Sequence, residues 1–337
     1  MRNRLGMVVV AALLVLSGCG GGDTKSADSG PGDTEVATGG RLFKTADEET
    51  AKLGSDAQPG AFPRTVKHAL GETKLEKKPE RVVVLDSGEL DDVLALGITP
   101  VGMATTAGQA GVPSYLADKA QGIKTVGGIS ELNLEAIAAL KPDLILGSKL
   151  RANDLYDQLS AIAPTVMSIR PGFPWKENFL LVADSVGAED KATGILNDYQ
   201  KRADEVKSKV QGSPTISLVR FRPGEIRLYG NLSFIGVILK DIGLPRPKIQ
   251  DVQDLAVEVS QENISQAAGD WVFYSSYGKP ETTAENTVVN GNLWKALRAV
   301  KNGQVARVDD EVWFLGLGPL GAMDVLSDLE KLLGPKG

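Results

Sequence analysis

The side chains best equipped for chemistry in this chain are arginines and aromatics placed just beyond short apolar runs. Arg220 and Arg222 follow Ile216–Val219, and Arg227 and Tyr229 come a few residues later. Lys149 and Arg151 follow the run that ends at Gly147, Arg170 ends Thr165–Ile169, and Trp175, Tyr274 and Trp313 stand at comparable places. A guanidinium is a planar fork of donors suited to oxygen-rich anions. An indole or phenol is a flat apolar wall with one polar edge. Such a set describes a binding site and lacks the parts of a catalyst. His68, the single histidine, lies in the alternating segment Thr65–Leu70 and reads as a surface residue. A nucleophilic serine therefore has no base to activate it, and the adjacent acids Asp91 and Asp92 fall in the first turn of a helix, where acids are expected without catalysis. Zinc or manganese needs clustered His, Cys or carboxylates, a spacing this sequence does not have. A bare ferric ion held by Tyr229, Tyr274 and Tyr277 stays open as a minor alternative.

Positioning these residues requires strands alternating with helices. Arg81–Leu85 is a continuous apolar run, the pattern of a strand buried on both faces. A helix over Glu89–Leu96 ends at Gly97, and then come a strand at Pro100–Ala104, a helix at Leu134–Leu140, a strand at Asp143–Gly147, a helix at Asp154–Ile162 and a strand at Thr165–Ile169. Units of this kind imply parallel-type sheets covered by helices, an α/β fold. The order recurs: Leu134–Leu146 aligns without gaps on Gln261–Phe273, so the chain reads as two Rossmann-like lobes. Between them, Phe179 to Val186 forms one amphipathic face that stops at Gly187. Ile195, Tyr199, Ala203, Val206 and Val210 form a second face on a helix from Glu189 to Val210. At 1.5 Å per residue this rod is about 33 Å long; as a single stiff connection it argues against large hinge closure. Ligands of open α/β sheets sit beyond the carboxyl ends of strands, which places the arginines in a cleft between the lobes.

The matched segments carry Glu135 and Glu262 at equivalent places, each preceded by a capping candidate, Asn133 or Ser260. Two readings are open: favourable contact with a helix dipole, or paired anionic knobs for basic sockets on a two-fold partner. Gly316–Gly321 satisfies G-x-G-x-x-G after an apparent strand at Val312–Leu315, the pattern of a dinucleotide site. Only sixteen residues follow, too few for the βαβ unit such a site needs. The motif reads instead as a tight turn into a helix over Met323–Leu333, with Pro319 near the first helical position.

Location is written in the leader. Arg2 and Arg4 precede the apolar run Met7–Leu16, which is too short for a permanent span. Leu16-Ser17-Gly18-Cys19 resembles the lipobox of bacterial lipoproteins, which implies cleavage after residue 18 and lipid on Cys19, the single cysteine. The net charge of −6, more negative once the leader is removed, excludes the basic footprint of a nucleic-acid binder. The expected organisation is residues 1–18 signal peptide, 19–60 disordered tether, 61–174 N-terminal lobe, 175–211 inter-lobe helical segment and 212–337 C-terminal lobe.

Arg81–Gly102, Asn133–Gly147, Leu155–Val166 and Trp313–Leu329 resemble the substrate-binding lipoproteins of bacterial ABC importers for ferric siderophores and cobalamin. The resemblance runs from about Thr65 to Leu333. It implies the periplasmic-binding-protein fold with a helical backbone, a location on the outer face of the cell membrane, a monomer that delivers its cargo to a dimeric ABC permease, and no catalysis. By the same resemblance Glu135 and Glu262 dock on permease arginines. The cargo expected is a ferric siderophore, with the hydroxamate type favoured by Ser217–Gly230 and Gly147–Arg151. A hexadentate chelator fills the shell of Fe(III), so no cofactor or protein metal ligand is needed. Arg220, Arg222 and Arg151 are assigned to the chelating oxygens and Trp313, Tyr274 and Trp175 to the walls, with Lys149 and Tyr229 nearby. Cobalamin or haem is the alternative cargo, and a surface hydrolase or a purely structural lipoprotein the alternative class.

Overall fold

The computed structural model describes residues 43–106 and 111–335. The N-terminal lobe opens with an antiparallel hairpin, β1 (Arg64–His68) and β2 (Gly71–Leu75). Its six-stranded sheet has the order β6-β5-β4-β3-β7-β8, with β3 Val82–Val84, β4 Gly102–Thr105, β5 Lys124–Gly128, β6 Glu131–Leu132, β7 Leu144–Ser148 and β8 Thr165–Ser168. All neighbours are parallel except β6. Every residue of β3, β7 and β8 is buried, which is why these strands read as unbroken apolar runs.

The C-terminal lobe has β9 (Ile216–Arg222), β10 (Glu225–Tyr229), β11 (Ala256–Val259), β12 (Trp271–Ser276) and β13 (Val305–Arg307) in the order β11-β10-β9-β12-β13. The parallel triad β9-β12-β13 repeats β3-β7-β8, as the internal similarity predicts. The other edge departs from it, since β9, β10 and β11 run antiparallel and make the sheet mixed. Pro223-Gly224 turns the chain there, with Gly224 at φ +80°.

Trp175–Val186 and Glu189–Lys209 are helices, separated where Gly187 adopts the left-handed conformation at φ 64°. A side chain at Gly187 would also collide with the Phe62 ring. The longer helix serves both lobes: Ala192 belongs to the N-terminal core, whereas Tyr199, Ala203 and Val206 belong to the C-terminal one.

Four expectations are corrected. The tether does not extend to residue 60: Phe43–Thr45 and Ala46–Thr50 are helical, and Phe43, Ala46 and Thr50 are buried. A polar stretch with one aromatic anchor was legible only as linker. Val312–Leu315 is not a strand, because Asp309 caps the Glu311 N–H at 2.8 Å and winds Asp310–Trp313 into a helical turn; a short apolar run does not distinguish the two. His68 is buried rather than exposed. Its Nδ1 accepts from Leu70 N at 3.2 Å and its Nε2 lies 3.0 Å from Thr73 Oγ1, while burial pushes its pKa down to about 4. The acids of the helix Ser87–Ala95 are likewise buried, and they explain the glycine motif. Asp91 accepts from the N–H groups of Leu320 and Gly321 at 2.8 and 2.9 Å, at the start of the C-terminal helix Pro319–Leu333. Gly318 is needed there, since a Cβ would lie 2.6 Å from the Asp91 carboxylate. The Tyr115 hydroxyl joins the group, 2.9 Å from Asp91 Oδ2 and 2.7 Å from Gly316 O. The motif is an anion-binding helix start whose anion is a carboxylate from the other lobe.

Candidate ligand-binding cleft

Between the lobes lies a cleft of about 790 Å³, including its part open to solvent, into which five arginines converge: Arg151 and Arg170 from the N-terminal lobe, Arg220, Arg222 and Arg227 from the C-terminal lobe. Strand geometry brings the last three together. Residues two apart in a strand share a face, so Arg220 and Arg222 project from β9 together. The antiparallel register sets Arg227 opposite Arg220 and Glu225 opposite Arg222. Like charges directly opposite would destabilise the hairpin, and carboxylates offset this. Arg220 makes a forked pair with Asp310, Nε–Oδ1 2.7 Å and Nη2–Oδ2 2.5 Å, and Nη1 donates to the Tyr229 hydroxyl at 3.0 Å. Ser275 Oγ holds Asp310 from behind at 2.6 Å. Glu225 bridges Arg222 and Arg227, the second at 3.0 Å.

Burial by itself would lower the Arg220 pKa, but Tyr229 and Asp310 outweigh it and hold it above the ordinary arginine value. The guanidinium also faces the rings of Tyr277 at 4.9 Å and Phe314 at 5.1 Å, and Arg222 shares the Tyr277 ring at 5.4 Å. Stacked and forked in this way, the group is fixed before a ligand arrives. Across the cleft, Arg151 Nε lies 3.2 Å from Asp86 Oδ2. Asp86 is itself held by the Ser87 N–H at 2.7 Å, as the cap of its helix. Arg170 is buried, and burial, then the charge of Arg151, lowers its pKa to about 10. An anion between these two arginines would relieve that repulsion. Phe234, Leu255, Phe314 and Trp313 supply apolar wall.

Of the residues singled out from sequence, Arg220, Arg222, Arg151, Trp313 and Tyr229 line the cleft. Three do not. Trp175 is fully buried in the C-terminal core, edge-on to Tyr199 and Phe234 at 5.0 and 6.0 Å. Tyr274 packs on the opposite side of the sheet against Trp294 at 5.3 Å and Phe221 at 6.2 Å, which also removes the three-tyrosine ferric site. Lys149 is half-buried at the start of the turn Lys149–Ala152, outside the lining. The residues underweighted were Arg170, Arg227 and Tyr277. Arg227 was readable, because a hairpin at Pro223-Gly224 pairs it with Arg220, and so was Arg170, at the end of an apolar run; Tyr277 arrives through tertiary placement.

The periplasmic binding protein family model matches residues 82–312. The chain belongs to this family. Among its relatives, the "Probable siderophore-binding lipoprotein YfiY" of Bacillus subtilis is 41% identical over 284 residues, covering 79% of this chain and 86% of the relative. The Fe(3+)-citrate-binding protein YfmC of the same organism is 32% identical over 282 residues, with 81% and 88% covered. The crystal structure of Staphylococcus aureus SirA complexed with staphyloferrin B superposes with a TM-score of 0.73 at 32% identity, covering 80% of this chain and 98% of that one. Family members are substrate-binding proteins rather than enzymes, and what they carry is a ligand rather than a cofactor.

Glu135 and Glu262 are both exposed in the first turn of their elements. Asn133 caps the helix Leu134–Ala139 by accepting from Ala136 N at 2.8 Å. The second element is a 3₁₀ segment, Gln261–Ala267, in which the residue's own N–H and the Ser260 hydroxyl hold the Glu262 carboxyl below its usual range. Among the described residues no helix is long and apolar enough to cross a membrane. Cys19 and the leader lie outside the described residues.

Proposed function

We propose that this protein captures a ferric siderophore outside the cell and delivers it to an ABC permease. The observation that carries the reading is the convergence of five guanidinium groups and several aromatic rings, from both lobes, on one cleft of an otherwise acidic chain. A pre-chelated iron complex presents oxygens and ring or alkyl edges to its carrier, which guanidinium forks and aromatic walls match. The names of the relatives YfiY, YfmC and SirA's ligand support the cargo class.

The cleft also bears on which siderophore. Three hydroxamates neutralise Fe(III) completely, leaving no charge for the arginines to meet. Hydroxycarboxylate or catecholate donors leave the complex negative, and so does a chelator that adds carboxylates to hydroxamates. The favoured cargo is therefore a ferric siderophore whose complex keeps negative charge. A chelator that combines hydroxamate with carboxylate donors is the form of the hydroxamate expectation that fits this charge. Trp313 lines the cleft, so its fluorescence reports occupancy. Titration with ferric citrate, a ferric catecholate and a neutral ferric trishydroxamate should give tight quenching by the negative complexes. Tight binding of the neutral complex alone would overturn the charge reading, and binding of none would overturn the cargo.

In the same reading the lipid on Cys19 anchors the protein, a monomer, to the outer face of the membrane. Glu135 and Glu262, one on each lobe, engage basic sockets of the permease. Exchange of Cys19 for Ser should release the protein from membranes into the medium, as fractionation would reveal.

A further inference from the structure

From the contacts of the turn Phe43–Thr45, we infer that Phe43 is a positioning residue for the ligand cleft, setting the Arg170 guanidinium through its ring face. The inference deepens the proposed function and rests on it. Phe43 is buried, in the turn Phe43–Thr45 just outside the lobe. It meets Phe173 edge-on at 5.5 Å, and the Arg170 guanidinium lies over its ring at 4.2 Å and over Phe173 at 5.8 Å. Arg170 also lines the cleft, two residues from the end of β8, with Asn178 Nδ2 donating to its carbonyl at 2.8 Å and its own Nε donating to Pro171 O at 3.2 Å.

A buried guanidinium beside Arg151 has reason to swing away from its like-charged neighbour. Two ring faces resist that by attracting the cation in a water-poor setting. The segment that precedes the lobe would then do more than tie the protein down: its turn Phe43–Thr45 supports a residue of the binding site from behind. Phe43 itself lies outside the cleft lining, so it acts through Arg170 and not by touching cargo.

The full-length protein, wild type and variants, is titrated with ferric citrate, a ferric catecholate and a ferric trishydroxamate, and melting temperatures are recorded alongside. Phe43→Leu keeps apolar volume against Phe173 but removes the ring, and should weaken the tightest wild-type complex about three- to tenfold. Phe43→Trp keeps a ring face and should stay within about twofold of wild type. In an Arg170→Gln background, Phe43→Leu should add nothing to the loss. Equal affinities for wild type and Phe43→Leu, or additive losses in the double variant, would overturn the inference while leaving the functional reading intact. A role in packing alone predicts that Phe43→Leu and Phe43→Trp differ in melting temperature and not in affinity, which also overturns it. A wild type that binds none of the three complexes removes the functional reading, and this inference with it.

Discussion

Both lobes bury ionisable groups, and they use them for opposite ends. In the N-terminal lobe the helix Ser87–Ala95 buries Glu89, Asp91 and Asp92. Asp91 is satisfied inside the protein, by two N–H groups of the helix Pro319–Leu333 and the neighbouring Tyr115 hydroxyl. In the C-terminal lobe the hairpin β9–β10 buries Arg220 and Arg227, whose charge faces an open cleft. Desolvation is unfavourable in both places. Asp91 joins one lobe to the other, whereas the arginines border open space, the place the proposed function gives to cargo. Buried charge becomes evidence of binding only where it borders space.

The strongest way to break this contrast is Arg220→Met. On the proposed assignment of Arg220 to the cargo, removing its guanidinium should weaken binding about 100-fold, the equivalent of about 3 kcal/mol for a charged hydrogen bond. Isothermal titration on the folded protein measures it. Asp310 loses its partner in that variant, so Arg220→Met/Asp310→Leu, which removes both charges, checks that the loss is of binding and not of fold. An affinity within about twofold of wild type in the double variant would contradict the assignment of Arg220 to the cargo.

Asp91→Ala should do the reverse. It strips the helix start of its acceptor and leaves Tyr115 with Gly316 O alone, which should destabilise the protein by about 2–4 kcal/mol in urea unfolding. Affinity measured below the transition should be unchanged, because Asp91 borders no part of the cleft. A parallel fall in affinity would mean that the inter-lobe joint also shapes the site.

Charge reversal at the two exposed glutamates sharpens the comparison from outside. Glu135→Arg and Glu262→Arg should each reduce ferric siderophore uptake by cells about tenfold or more while titration with cargo stays unchanged. Uptake unaffected by both would leave the helix-dipole reading of these residues.

Acidity separates the lobes more gently. Burial, with the nearby charge of Asp86 adding to it, pushes the Glu89 carboxyl up to about 8, burial pushes Asp91 up to about 7, and burial raises Asp92 as well. Their unfolded values lie near 4, so between about pH 4 and pH 8 the folded state holds more protons than the unfolded one. These groups therefore contribute stability at the acid end of that window that is lost as pH rises through 7 to 8. Urea unfolding at pH 5.5 and pH 8 should show the fall, and Asp92→Asn should flatten it. The smallest effect belongs to Tyr274→Phe, which should leave cargo affinity within about twofold, since the ring packs on the far side of the sheet.

How much of this was readable in advance depends on the range of each interaction. The helix break at Gly187, the cap at Asn133, the start at Pro319 and the buried strands β3, β7 and β8 all follow from residues a few positions apart. The repeat was readable because each copy is itself local, and it correctly located β12 from β7. Arginines after strand ends gave the region of the cleft. The sequence by itself thus determined the alternation of elements, the long helix that serves both lobes and the positive, aromatic character of the cleft.

Tertiary structure decided which side of each element faces which neighbour. Trp175 and Trp313 are both fully buried tryptophans, yet one lies in the core and the other also walls the cleft. Tyr274 was lost to the far face of its sheet, and His68 was withdrawn from solvent by contacts with Thr73 and Tyr156. The glycine motif answers to Asp91, which lies 229 positions before Leu320, and Phe43 finds Arg170 across more than a hundred residues. Local preference is set by sterics and hydrogen bonds within a turn or two. The partner of a buried charge or ring is chosen by where whole elements pack, a choice the neighbouring residues do not encode.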